Sequence, residues 1–243
     1  MKKNDSLGLA LVRSSLMDQS VEVAKEVAEI ALDGAIDEGL LREIPVFSWL
    51  VSTCRIVSSV RERLFLKKIA IFLNDIGNVS EDTKQAFVQD LDANPGEKKE
   101  LGEKLILLLD RMNNFDKARL LSIVFRSYVC GSLDEVEFTY LCDAVDTINS
   151  NLLENFPYMP PNLLDNANGF ALVNVGLADV QFAIEDINDG FRHEYDPVGY
   201  AKPLFKKSTL GEKFSELLRT DQQSQVKDGE LASGPSTSAS TGN

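Results

Sequence analysis

The chain has 243 residues, 44% of them hydrophobic and 26% charged, with a formal net charge of −13. Such a composition is ordinary for a globular protein long enough to bury a core of its own. The acidic balance repels phosphate and excludes wholesale coating of nucleic acid, while leaving room for a local basic patch.

Met1 is followed by two lysines, but the next apolar run, Leu7 to Val12, is too short for the apolar stretch of an export signal. Residues 1–43 read mostly as one helix. Val23, Val27, Ile30 and Ala31 recur at helical steps with acids and a lysine between them, and Gly34 and Gly39 interrupt or end it. Pro45 suits the first turn of a new helix, where its missing N–H costs nothing. That helix carries Trp49, Leu50, Ile56 and Val57, breaks or continues near Ser58-Ser59, then carries Leu64, Phe65, Ile69 and Phe72. The apolar stretch Ile44 to Val60 contains Arg55 and several serines, and falls short of the roughly 20 apolar residues of a membrane span.

Ser80 before Glu81-Asp82 is a helix cap followed by acids in the first turn. Asn94-Pro95-Gly96 is a turn. Leu101, Leu105, Leu108 and Leu109 form the stripe of the helix over 97–112. Asn113-Asn114 is a break, and Asp116 opens a helix through Leu120, Val124 and Tyr128 that Gly131 ends. Ser132-Leu-Asp-Glu135 matches a capping box for the next helix, which holds Val136, Tyr140, Ala144, Ile148 and Leu152. Phe-Pro-Tyr-Met-Pro-Pro (156–161) is extended or turning. Leu163 to Val175 reads as a helix, Val180 to Ile184 as a strand, Asn188-Asp189-Gly190 as a turn, and a second strand lies between Tyr200 and Lys207. Ser208-Thr209 opens a last short helix with Leu210, Phe214, Leu217 and Leu218. From about 220 the sequence is almost without apolar residues, ends in Ser, Thr and Gly, and reads as a disordered tail.

The fold class expected is therefore mainly α. An antiparallel helical bundle over 1–154 is followed by a small α+β appendage over 155–219 and a disordered tail over 220–243.

Little of the sequence points to catalysis. His193 is the single histidine, and the cysteines Cys54, Cys130 and Cys142 have no paired metal-ligand spacing. An odd cysteine count fits a reducing cytoplasm, with Cys130 and Cys142 packed as small core residues. Gly96-Glu-Lys, Gly102-Glu-Lys and Gly211-Glu-Lys each lack the remainder of a phosphate loop. Asp90-Leu-Asp92-Ala-Asn94 starts like a calcium loop, but its glycine is misplaced and Leu101 stands where a bidentate glutamate is needed. The acid pairs Asp143 with Asp146, and Glu185 with Asp186, stand apart from any nucleophile and read as solvated surface. No metal, no cofactor and no small-molecule substrate is implied.

Two segments carry the functional expectation. In residues 44–68 an apolar helix with Trp49 runs into Arg55, Arg61, Arg63, Lys67 and Lys68; five bases oppose Glu62 alone, a local +4. Such a segment suits an anionic membrane surface or an acidic partner, or else is a core helix whose bases snorkel to solvent. The second is the order helix, strand, turn, strand, helix over 163–219, which resembles a winged-helix module. That resemblance implies DNA binding through the preceding helix. Leu163 to Val175 has no lysine or arginine, and 177–219 holds six bases and eight acids, so packing or protein contact is the better expectation.

Tyr-Val-Cys-Gly-Ser-Leu-Asp-Glu-Val-Glu-Phe (128–138) is similar to the Asp-Gly-x-Ile-x-x-x-Glu turn of the TerB-type tellurite-resistance domains, a likeness covering about 64–154. Cys130 stands where that family has an aspartate, so a metal role does not carry over. The layout as a whole also resembles bacterial proteins of helices, a small wing and a polar tail. The leading expectation is a non-enzymatic cytoplasmic regulatory or adaptor protein with an unidentified protein partner. A peripheral membrane protein using 44–68 is the alternative, and weak nucleic-acid binding by the wing comes third.

Overall fold

The structure, a computed structural model, describes residues 6–17, 19–30, 38–53, 59–76, 79–160, 166–185 and 200–232. It is mainly helical with one small antiparallel ribbon, as the periodicities predict.

The first expected helix is two. Helix α1 spans Leu7–Ser15 and α2 spans Gln19–Ile30. The Ser14 and Ser15 hydroxyls donate back to the carbonyls of Ala10 and Val12 at 2.8 and 2.7 Å. Bonds of this kind are tolerated within a helix, and α1 ends at Ser15 with Leu16 as its cap. Ser14 Oγ also accepts the N–H of Val46 at 3.0 Å. Val46 lies in the first turn of α4 (Pro45–Thr53), whose N–H groups have no partner of their own. One serine thus ties the last turn of one helix to the first turn of another. Gly34 lies outside the described residues, and Gly39 sits in the short α3 (Glu38–Leu41).

Helix α5 (Val60–Asp75) starts at a capping box in which Ser59 and Glu62 satisfy each other's N–H groups. Helices α6 (Glu81–Ala93) and α7 (Pro95–Arg111) meet at Asn94, with Pro95 in the first turn of α7. Helix α8 (Phe115–Val129) runs through the middle of the body, packed on α5 and on α9 (Glu135–Thr147). Its end is closed by Gly131 at φ 71°, while Ser132 N–H bonds to Ser127 O at 2.9 Å. That closure engages Ser132 in ending α8. The capping box of α9 is therefore Asp134 with Glu137, not Ser132 with Glu135.

The core is aliphatic with a run of rings through it. Phe125 of α8 lies 5.6 Å from Phe72 and 6.4 Å from Phe138, and Tyr128 stacks on Phe138 at 4.6 Å. Val46, Phe47 and Leu50 of α4 belong to the same buried cluster, so the apolar stretch after Pro45 is core. Among the described residues no helix is long and apolar enough to cross a membrane.

Beyond α10 (Ser150–Asn155) and a 3₁₀ turn (Phe156–Tyr158) comes α11 (Asn166–Asn174). Strands β1 (Ala178–Glu185) and β2 (Tyr200–Lys207) then pair antiparallel, with Val180 opposite Phe205 and Phe182 opposite Pro203. Helix α12 spans Thr209–Ala232, well past the expected start of a tail at 220. A started helix adds residues cheaply, and the body holds this one. Asp221 bonds to Arg126, Gln222 to the Tyr158 hydroxyl, and Thr220 and Ser224 bond back along the helix. Residues 233–243 lie outside the described residues. Phe214 and Leu218 of α12 join the buried cluster of the body, so one core continues across residue 154.

Candidate interaction surface

The six residues of the apolar-basic segment do not form one face. Trp49 is half-buried against the core, and Arg55 lies outside the described residues. Arg61 is exposed and pairs with Asp110 at 3.2 Å. Lys67 holds its amine 5.1 Å from the centre of the Phe115 ring, and Arg63 is half-buried. Lys68 is turned inward. It is 7% exposed, and its Nζ donates to the carbonyls of Asp110 and Met112 at 3.0 and 2.9 Å. These are carbonyls at the end of α7 that no helical N–H reaches. Burial pulls the Lys68 amine below its usual range, against the raising field of Asp110. The apolar side chains that α5 leaves exposed are Val60 and Leu64, one turn apart, near Arg63 and Lys67.

Other cations do the work Lys68 does. Lys117 donates to Asp146 O at the end of α9 at 2.7 Å, and Arg126 to Asp75 O at the end of α5 at 3.0 Å. Lys207 reaches Pro157 O at 3.0 Å, and Arg219 donates to the same carbonyl. The negative end of each helix dipole favours these charges. Much of the positive charge that could have made a working surface is therefore structural.

The remaining sequence candidates resolve similarly. Asp90 and Asp92 stand on helix α6, and Asp92 pairs with Lys98 at 2.6 Å, so the calcium-like spacing is a helix junction. Gly102 and Gly211 lie in helices, and a Cβ on Gly211 would fall 2.0 Å from Leu177 O. Asp146 pairs with Arg111 at 2.6 Å, which removes it from Asp143 as a working pair. Glu185 ends β1, and Asp186 and His193 lie outside the described residues. Cys142 is core, its thiol pushed up to about 12 by burial. Cys130 is exposed, contrary to expectation, because it is the capping residue where α8 leaves the core. Among the described residues no group of His, Cys, Asp and Glu is placed to hold a metal ion.

The surface that stands out is the ribbon. Helix α11 has 9 residues and each strand has 8. At 1.5 Å per residue the helix is about 13 Å long, whereas a strand at 3.3 Å per residue is about 26 Å. The helix cannot cover the ribbon. Val180, Phe182, Pro203 and Phe205 share one face by their pairing. Phe205 is buried where α11 lies, its ring against Gly169 and edge-on to Phe170 at 5.0 Å. Phe182, two residues further out, is 62% exposed. Phe170 is exposed beside the covered end, and Leu204 is exposed on the reverse face. The sequence shows the alternation of β1; the mismatch of lengths that uncovers Phe182 appears only once α11 and the ribbon are set together.

No family model, curated protein or solved structure matches the chain. Its function is read from its own chemistry.

Proposed function

We propose that the chain is a non-enzymatic cytoplasmic regulatory or adaptor protein, and that it meets its protein partner through the outer half of the β1–β2 ribbon. The observation that carries this is Phe182, a large apolar side chain exposed on a face whose inner half is buried. An exposed ring that continues a buried apolar face is the seed of an apolar contact surface. Aromatic side chains also supply much of the binding energy at such sites. Photo-crosslinking tests it, with the reactive group placed at Phe182 in one variant and at the equally exposed Leu107 of α7 in another. A discrete adduct from 182 and none from 107 is the expected result. Identical adduct patterns would remove the ribbon as the contact site.

Peripheral attachment to an anionic membrane is a second reading, supported by the exposed Val60 and Leu64 beside Arg63 and Lys67. It predicts co-flotation with phosphatidylserine vesicles that weakens when Arg63 and Lys67 become glutamate. Equal flotation of both proteins counts against it.

A further inference from the structure

A two-stranded ribbon has two outer edges, and here they are built differently. Strand β2 reads Tyr-Ala-Lys-Pro-Leu-Phe-Lys-Lys. Pro203 removes one N–H from it, and the exposed Lys202 and Lys206 stand along it. Proline and lysine are the devices by which proteins keep an edge strand from recruiting another chain. Strand β1 reads Ala-Asp-Val-Gln-Phe-Ala-Ile-Glu and has neither. Its Asp179, Gln181 and Phe182 are exposed, and among the described residues no strand pairs with its outer side. In an antiparallel pair about every second residue turns its N–H and C=O away from the partner. Eight residues so leave about four such outward sets on β1.

We propose that the outer edge of β1 is an addition site for an extended segment of a partner protein, apolar at its centre and basic at its ends. This deepens the adaptor reading and rests on it, because the added strand would continue the apolar face that Phe182 begins.

The chemistry of the occupant follows from β2, the strand β1 already accepts. A side chain standing off a sheet is neighbour to both flanking strands, so β1 makes the same demands on its two sides. On the paired side Asp179 faces Lys206, Val180 faces Phe205, Gln181 faces Leu204 and Ala183 faces Lys202. An incoming strand of similar pattern sets one base beside Asp179 and another toward the far end of β1, where Lys202 stands on the paired side, with apolar groups between. A second copy of β1 would bring acids instead, on a chain of net charge −13. Main-chain hydrogen bonds would supply affinity, and alternate side chains and end charges the selectivity.

The test titrates the full-length chain with a synthetic peptide of alternating valine and threonine carrying two lysines at each end. The same peptide with glutamate ends is run beside it, and amide chemical shifts are followed. Saturable shifts centred on β1 are expected from the lysine-ended peptide, at least tenfold weaker from the glutamate-ended one. Gln181→Lys, which gives β1 the protection β2 has, is expected to weaken binding by a similar factor without changing the unfolding midpoint. Equal binding of the two peptides, undiminished binding to Gln181→Lys, shifts on β2 instead, or no binding at all would overturn the proposal. So would a concentration-dependent dimer of the chain that Gln181→Lys abolishes, since the occupant would then be a second copy. Repeating the crosslinking from 182 in the Gln181→Lys chain separates the two ideas. Adducts that survive leave the ribbon face standing while the edge falls, and adducts absent from both chains remove the face as well.

Discussion

Gly8 of α1 and Gly102 of α7 meet backbone to backbone. A Cβ built on either would lie 2.4 Å from the other's carbonyl carbon. The helices cross there without side chains between them, and both glycines are buried. Gly102→Ala sets two effects against each other. Alanine is favoured over glycine inside a helix by about 1 kcal/mol. Against that, backbone cannot rotate out of the way as a side chain can, so α1 and α7 must separate and the packing around Leu11 and Leu105 opens. Overpacking of this kind costs about 1–3 kcal/mol, and more where nothing yields. The clash wins, and a urea unfolding curve should show a clear loss of stability. Gly96→Ala, in the first turn of the same helix with open space around its Cβ, should be neutral or slightly stabilising. If both substitutions behave alike, the close crossing is not what the glycine at 102 is for.

The C-terminal helix is fastened by charge as well as by Phe214 and Leu218. Arg126 Nη2 lies 2.5 Å from Asp221 Oδ1, with side chains 19% and 4% exposed. The other end of the guanidinium holds Asp75 O. Removing one partner leaves a charge in a place water hardly reaches. Asp221→Ala should therefore cost about 3 kcal/mol and make α12 the first site of proteolytic cleavage. In a double-mutant cycle with Arg126→Met, the combined loss should fall short of the sum by about 0.5–3 kcal/mol. Additive losses would mean that the two side chains do not stabilise each other.

Much of this architecture is legible in the sequence because it is local. The stripe Leu101, Leu105, Leu108, Leu109, the cap at Ser80 and the stop at Gly131 are each decided within a few residues. The destination of Lys68 is not local, since the carbonyls it caps belong to residues more than forty positions along. A cation in an apolar helix reads the same whether it faces lipid, solvent or the end of another helix. The start of α9 is misread from sequence for a different reason. The expected box at Ser132-x-x-Glu135 gives way to Asp134-x-x-Glu137 because the closure of α8 already engages Ser132. The ribbon's exposed half depends on relative lengths, which periodicity does not report. The bond from Val46 to Ser14 joins positions more than thirty residues apart, which periodicity does not report either.

Thiol chemistry should separate the two cysteines that the structure describes. Cys142 is buried in α9, and with its pKa pushed up to about 12 its thiolate fraction at pH 8 is on the order of 10⁻⁴. Cys130 is exposed, and partial burial of its thiol raises it above the usual range against the lowering field of Arg126. Iodoacetamide should label Cys130 in the native protein, about tenfold faster per pH unit while the thiol remains below its pKa. Cys142 should be labelled only when the chain unfolds. Peptide mass spectrometry at pH 7, 8 and 9 reads both rates. Native labelling of Cys142 at a rate near that of Cys130 would contradict the packing of α9.

Asp75 offers a test of stability against pH. Burial at the end of α5 raises its carboxyl above the usual range, more than the Asn74 amide at 3.0 Å and the nearby Arg119 and Arg126 lower it. A carboxyl whose folded pKa lies above its unfolded one binds its proton more tightly in the folded chain. Its contribution is therefore most favourable below the unfolded pKa, and is lost as pH rises through the folded value. At neutral pH the ionised Asp75 is a cost. Asp75→Asn keeps the shape and an oxygen for the Asn74 amide, and leaves the backbone carbonyl that Arg126 uses. The variant should unfold at a higher temperature than the wild type at pH 7. The advantage should shrink as pH falls through the folded pKa and disappear toward the unfolded value near 3.8. Thermal unfolding at matched ionic strength from pH 7 to pH 4 measures it. If the variant is less stable at pH 7, the pull of the two arginines on the carboxylate outweighs its desolvation.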